Sequence, residues 1–396
     1  MRIGINASFA RKPGSGIGQV TINFIKELAA SSSIFIDSKN EEAEFIIYLE
    51  QDLFGDIVLP ENFRKSVFLP FWKRDDLLRK VLWEKFYLPR KAKKDGCDIF
   101  LSLYQCPTIF PKEIRHTMLV HDIIPKLFPE YLNNLRKQKY WEWTERAIEK
   151  AQKILAVSSR TEKDLVRHLG IDAKKITVNY IDCDEIYGKP VSQARIQKIL
   201  KKYHLKPGYI YTGGGLEVRK NTEGVVQAYK HLLESNRNHP FIEEIPKLVI
   251  SGKLMPQLAP LITDVEKLVR ELNISGHVEI LDFVDQEDLP ALYSQALFFI
   301  YPSRYEGFGI PVLEAMKVGC AVITSKISSL PEVGLDSVLY CYPDDVRDIA
   351  MVMKNALTNH DLRNTLKRRG QQRAKNFSWK KFTEKIANEI KENKIQ

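Results

Sequence analysis

The feature that most constrains this chain is its rhythm: apolar runs of four to six residues alternate with longer stretches of helical periodicity along most of the sequence. Runs that short suit buried strands, and strands separated by helices build parallel sheets, so the fold class expected is α/β. The candidate strands of the first half are Arg2–Asn6, Glu44–Leu49, Ile99–Ser102, 117–120 and 154–157. Those of the second half are Tyr209–Thr212, 247–251, Val278–Leu281, Ala296–Tyr301 and 321–324. A helix is expected over 140–150, and SSRTEKDLVRHLG, running from Ser158 to Gly170, opens on hydroxyl caps and stops at glycine. The tail FSWKKFTEKIANEIKENK reads as one amphipathic helix begun by Ser378. No short repeat is present, which excludes a solenoid.

A chain of 396 residues exceeds one ordinary core and suits two. The alternating pattern degrades between Asp182 and Lys206, and a new strand at Tyr209 then runs into glycines, so the boundary belongs there. Residues 1–190 and 191–375 are the expected domains, each Rossmann-like, with 376–396 as a carboxy-terminal helix.

Five cysteines, odd in number and without zinc spacing, argue against a disulfide framework or a metal site and for a reducing compartment. The opening MRIGINASFARKPGSG turns polar too soon for a secretory signal, and no apolar run reaches the ~20 residues of a membrane span. The expectation is a cytoplasmic protein. Net charge is +10, which favours anionic partners without choosing among them. Residues 71–94, ending at Lys94, carry nine basic side chains against three acidic ones, interleaved with Phe71, Trp72, Trp83, Phe86 and Tyr87. Two readings stay open there: a peripheral contact with an anionic membrane, or a surface helix with its apolar stripe at Leu78, Leu82 and Phe86. Nucleic acid is not expected, since that segment offers only a weak basic and stacking surface.

Four segments carry chemistry. In YPSRYEGFGIPVLEAM a buried strand ends at Pro302, a loop with Gly307 and Gly309 follows, and Pro311 opens a helix. Glu306 and Glu314 stand eight positions apart across that loop and helix. Carboxylate acceptors beside a helix amino terminus suit a ligand rich in hydroxyls and phosphate. In YTGGGLEVRKN a strand runs into Gly213, Gly214 and Gly215, followed by Arg219 and Lys220, two adjacent cations able to neutralise a diphosphate. In RKPGSGIGQ, Gly14, Gly16 and Gly18 lie between a strand and a helix, but Gln19 replaces the third glycine of a dinucleotide fingerprint, which weakens a dehydrogenase reading. In MLVHDIIPKLFPEY, His121 and Asp122 follow a strand directly.

EGFGIPVLE is similar to the Glu-x7-Glu motif of retaining GT-B glycosyltransferases, specifically family 4, and the resemblance covers nearly the whole chain. It implies a GT-B fold, with the acceptor on the 1–190 side, a nucleotide sugar on the 191–375 side, and domain closure assembling the site. It assigns Glu306 to the hydroxyls of the donor sugar and Glu314 to the ribose, and it sets the backbone of Phe308, Gly309 and Ile310 against sugar and diphosphate. Phe283 and Val284 would lie at the base, Gly14 and Gly16 beside the donor phosphate, and His121 against the sugar. Lys220 matches the family's lysine. The arginine expected after the glycine turn is replaced by Gly215, with Arg219 as its substitute.

The implied activity is retaining hexosyl transfer without a metal or other cofactor, His121, Lys220, Arg219 and Glu306 acting at the reaction centre. The resemblance favours bacterial polysaccharide mannosyltransferases, hence GDP-mannose as donor and a saccharide or lipid-linked saccharide as acceptor. The tail helix is expected to cross back to the first domain. A UDP-hexose or UDP-HexNAc donor is the alternative, and a nucleotide-sugar-binding protein without turnover is the alternative from another class.

Overall fold

A computed structural model describes residues 1–36, 41–53, 57–69, 76–235 and 245–392. Two compact units are present: Met1–Asp182 with Phe377–Gln396, and Cys183–Asn376. The division thus falls at residue 182, before the boundary read from the sequence, and the last helix belongs to the first unit.

In the amino-terminal unit the strands are β1 Arg2–Asn6, β2 Glu44–Leu49, β3 Phe63–Val67, β4 Ile99–Ser102, β5 Arg115–Val120, β6 Lys153–Ala156 and β7 Ile176–Val178. They form one parallel sheet in the order β3-β2-β1-β4-β5-β6-β7. In the carboxy-terminal unit β8 Tyr209–Thr212, β9 Leu248–Ser251, β10 Val278–Leu281, β11 Ala296–Tyr301, β12 Ala321–Ser325 and β13 Leu339–Cys341 form a second parallel sheet, ordered β10-β9-β8-β11-β12-β13. The central strands are buried along almost their full length, as sheets covered on both faces require.

Local chemistry sets the helix ends. Ser15 caps the Gly16–Ala30 helix through the Gly18 amide at 3.1 Å, and Val20, Phe24, Ile25 and Leu28 form its buried face. Ser158 caps Ser159–Leu169 through Thr161, and Gly170, at φ +65°, ends it. Ser378 starts Trp379–Glu392 through Lys381 at 3.1 Å. That last helix buries Phe382, Ile386 and Ile390, with the Phe382 ring 5.7 Å from Phe24, and its Phe382 carbonyl accepts from Asn179. The terminal segment is therefore tied to the first unit by both core packing and a buried hydrogen bond.

The basic segment departs from its expected stripe. Asp76–Val81 and Leu88–Lys94 are joined through a π-helical stretch, Leu82–Tyr87. The wider turn rotates the helix beyond it, so Trp83, Glu84, Leu88 and Ala92 face inward, while Leu78 and Phe86 are exposed. Trp83 is core, with its indole N–H donating to the Phe68 carbonyl at 3.1 Å. Several of the basic groups are also engaged within the unit: Arg79 meets Glu50 at 2.9 Å and Lys91 meets Asp95 at 2.8 Å. Phe71 and Trp72 lie outside the described residues. Among the described residues no helix is long and apolar enough to cross a membrane.

Candidate functional site

In an open parallel sheet, ligands bind beyond the carboxyl ends of the strands where chain order reverses. The reversal falls between β1 and β4 in the first sheet and between β8 and β11 in the second. The loops after β8 and β11 are the two glycine-bearing motifs, Gly213–Lys220 and Pro302–Gly309.

Those loops meet on Glu306, which is nine-tenths buried. Its Oε1 accepts from the Tyr301 hydroxyl at 2.6 Å, the Arg219 guanidinium at 2.8 Å and the Ser303 hydroxyl at 2.9 Å, with Lys220 Nζ at 3.5 Å. Oε2 makes no hydrogen bond among the described residues. Lys220 also donates to the Tyr301 hydroxyl at 2.7 Å, and Arg219 to the Tyr305 carbonyl at 2.8 Å. Burial alone would raise the Glu306 pKa, but Arg219, Lys220 and the two hydroxyls overcome it and hold the carboxyl at about 2. Glu217 Oε1 also lies 3.9 Å from the Arg219 guanidinium, so two carboxylates stand beside the two cations.

The backbone explains the glycines. Gly214 (φ +94°) lies against the helix-opening Pro311, where a Cβ would come within 3.0 Å of its ring. At Gly215 (φ +111°) a Cβ would meet Glu217 Oε2 at 2.5 Å and Lys220 Cε at 3.2 Å. A side chain at position 215 would be strained by that φ and would have to displace the Glu217 carboxylate. Asn221 pins this loop to its neighbours by donating to the carbonyls of Pro302 and Pro343. Gly309, at φ +114°, precedes the Ile310–Val318 helix, and Ser329 donates to the carbonyls of Glu306 and Phe308. The Phe308–Gly309–Ile310 backbone is thereby fixed at a helix amino terminus.

Glu314 stands on that helix, buried, and accepts from the Tyr293 hydroxyl at 3.1 Å. Burial pushes its carboxyl up to about 7, the hydroxyls of Tyr187 and Tyr293 pulling the other way. The motif's two glutamates are thus pushed in opposite directions, Glu306 towards its ionised form and Glu314 towards its protonated one. Phe283, 62% exposed, and the half-buried Val284 follow β10 at the same end of the sheet.

In the amino-terminal unit His121 follows β5. Its Nε2 lies 2.9 Å from the Leu103 carbonyl, which can only accept, so the proton is on Nε2. Burial lowers its pKa, leaving a neutral ring. Asp122 caps the next turn through the Ile124 amide at 3.0 Å. Gly14 is exposed with open space around it, and Gly16 begins the helix. The sterically required glycine is Gly18, where a Cβ would collide with the Lys12 carbonyl. Sequence reasoning misses Tyr301, Ser303, Tyr187 and Tyr293 as site residues. The first two lie inside the Glu306–Glu314 segment's own strand and loop, where a tyrosine ending a buried strand beside Pro302 is the available signal.

Two Rossmann-like units, one of them with an ion-paired glutamate beside a helix amino terminus, define a fold of the GT-B type. The chain belongs to glycosyltransferase family 4: the family profile "Glycosyltransferase Family 4" matches residues 14–181 and "Glycosyl transferases group 1" matches 192–373. It is 32% identical over 384 residues to O-antigen chain mannosyltransferase B of Escherichia coli, covering 96% of both chains. It is 24% identical to O-antigen chain mannosyltransferase RfbU of Salmonella typhimurium, over 89% of this chain and 90% of that one. Among solved structures, WaaG, a glycosyltransferase involved in lipopolysaccharide biosynthesis, superposes with a TM-score of 0.72 at 17% identity, covering 98% of this chain and 99% of that one. Anabaena Alr3699/HepE with UDP-glucose gives 0.71 at 15%, covering 99% and 100%. The protein is a glycosyltransferase.

Proposed function

We propose that this glycosyltransferase transfers mannose from GDP-mannose, with retention and without a metal, to a saccharide or lipid-linked saccharide during cell-surface polysaccharide synthesis. The observation that carries the reading is the divided carboxylate of Glu306, anchored through Oε1 by three hydrogen-bond donors and the Lys220 ion pair while Oε2 makes no hydrogen bond among the described residues. An ionised, immobilised acceptor of this kind suits the hydroxyls of a bound hexose and needs no reorganisation as the glycosidic bond breaks. The choice of mannose and of O-antigen-type acceptors rests on the relatives' names over nearly the full chain.

Glu314 accepts from the ribose hydroxyls, and Phe283 and Val284 border the base. The leaving diphosphate meets Arg219, Lys220 and the amide groups at Gly309 and Ile310, which take the place of a divalent cation. Neutral His121 contacts the donor sugar as an uncharged partner, with Gly14 and Gly16 beside the phosphates. The acceptor hydroxyl attacks from the face the diphosphate leaves, and a departing phosphate oxygen takes its proton, so no protein base is required. The site of action is the cytoplasmic side of the membrane, with the residues around Phe86 and Tyr87 facing anionic lipid.

The test is a thermal-shift and donor-hydrolysis panel with GDP-mannose, UDP-glucose, UDP-GlcNAc and UDP-galactose in EDTA. Selective stabilisation and turnover of GDP-mannose is expected. Turnover of a UDP-sugar alone moves the donor assignment, and an absolute requirement for added Mg²⁺ or Mn²⁺ ends the metal-independent mechanism.

A further inference from the structure

β12 runs parallel to β11 with Thr324 opposite Tyr301, and the chain from Thr324 to Ser329 carries a hydroxyl at four of its six positions. Each of the four bonds the backbone of the Glu306 segment. Thr324 donates to the Tyr301 carbonyl at 2.8 Å and Ser325 to the Ser303 carbonyl at 2.5 Å. Ser328 follows at Glu306, and Ser329 at Glu306 and Phe308. The contacts advance in step along both chains, so one segment grips the other from the strand end to the helix amino terminus. Thr324, Ser325 and Ser329 are fully buried, where a hydroxyl needs a partner, and their bonds fit the ordinary packing of two adjacent loops.

Ser328 differs from the other three in two respects. Its Oγ accepts from the Glu306 amide at 3.0 Å and donates to the Glu306 carbonyl at 2.7 Å, so one hydroxyl holds the backbone of that residue on both sides of its Cα. With both groups fixed, the direction in which the carboxylate side chain leaves the chain is set. Ser328 also sits at φ +60°, in the left-handed region that residues other than glycine occupy only under strain. Strain kept at the residue that clamps the site's central carboxylate points to function, since packing alone would be served better by glycine.

We propose that Ser328 is a positioning residue for the donor sugar. Arg219, Lys220, Tyr301 and Ser303 hold Glu306 at its tip through Oε1, Ser328 holds it at its root, and together they aim Oε2 at the hydroxyls of the bound hexose. A small rotation of Glu306 about its backbone would keep the cations, whose long side chains can follow, and would misdirect Oε2. Ser328 therefore acts on recognition of the sugar and not on the diphosphate. The proposal rests on the reading that Glu306 receives the donor sugar.

The test uses Ser328→Gly and Ser328→Ala in the full chain. Both lose the hydroxyl, while glycine relieves the strained φ and alanine keeps it, so the glycine variant should unfold at the higher temperature and the two should agree in function. Calorimetry gives the affinity for GDP-mannose relative to GDP, or for the uridine pair if the donor panel selects a UDP-sugar. Both variants should lower that ratio by about tenfold, the scale of one well-made hydrogen bond, with the free diphosphate bound as in the wild type. A ratio kept in Ser328→Gly overturns the proposal. So does a ratio lost in Ser328→Ala and restored in Ser328→Gly, which would make strain the cause, and so does an equal loss of diphosphate affinity, which would mean that the whole site had loosened. Glu306→Gln, run alongside, separates the two claims. A ratio that survives Glu306→Gln sinks the reading of Glu306 and this proposal with it, whereas a ratio lost in Glu306→Gln but kept in Ser328→Gly sinks Ser328 alone.

Discussion

The two reversal points are lined in opposite ways. In the carboxy-terminal unit the site is a closed charge network, with Glu306 held by two cations and two hydroxyls and every neighbouring loop pinned by a side-chain-to-backbone bond. In the amino-terminal unit the lining is a set of rings, Phe9, Tyr104 and Tyr140, around Lys80. The first arrangement suits a diphosphate and its developing charge, where fixed dipoles are worth most. The difference teaches that the fold supplies the same edge twice and the side chains alone decide what each edge takes.

The sharpest way to break the comparison is Glu306→Gln. It removes the charge that Arg219 and Lys220 share, and donor turnover should fall by roughly 10²–10³. Stability at pH 7 should drop by about 3–5 kcal/mol, as for a buried pair with one partner removed. Rates near wild type would show that the network is merely structural. Next in size, Gly215→Arg places a side chain at φ +111° against Glu217. Restoring the family's usual residue should therefore lower stability by about 1–3 kcal/mol in urea unfolding, without raising turnover.

A third probe is pH. Glu314 is raised from its ordinary 4.5 to about 7, so its contribution to stability is full below 4.5 and lost as pH rises through 7. Glu314→Gln, which cannot titrate, should gain on the wild type between pH 5 and 8 by up to about 3 kcal/mol. Donor affinity should move the other way in the wild type, tightening above pH 7 as the carboxylate becomes an acceptor, and the mutant should show a flat profile. Smallest of all, Leu135→Ser, at the 81% exposed first residue of the Leu135–Lys150 helix, should leave both unfolding and donor hydrolysis within about 0.5 kcal/mol of wild type. A larger effect would mean that this exposed leucine belongs to the packing of the unit.

Much of the carboxy-terminal site was legible because it is contiguous: Tyr301 to Glu314 is one strand, one loop and one helix, and the glycines flag the backbone that must approach a ligand. The strands were legible where they are central and apolar. β3, written FRKSV with mostly exposed residues, and the three-residue β7 and β13 were not, because edge or very short strands carry no apolar run. The ring cluster of the amino-terminal unit was illegible for another reason. Phe9, Lys80, Tyr104 and Tyr140 are scattered over 130 residues, and a π-helical turn that no 3.6-residue pattern anticipates points Glu84 inward. Arg219 lay between: its presence is plain in the sequence, but its bond to Glu306 is visible only in the fold.

The most direct measurement compares the binding of the turned-over nucleotide sugar with that of its free nucleoside diphosphate, by calorimetry, on wild type and Glu306→Gln. If Glu306 reads the sugar through its open oxygen, the wild type prefers the nucleotide sugar, while the variant loses that preference and binds the diphosphate at least as tightly as before. A variant that keeps the preference, or that loses the diphosphate as well, would contradict the division of labour between Glu306 and its two cations.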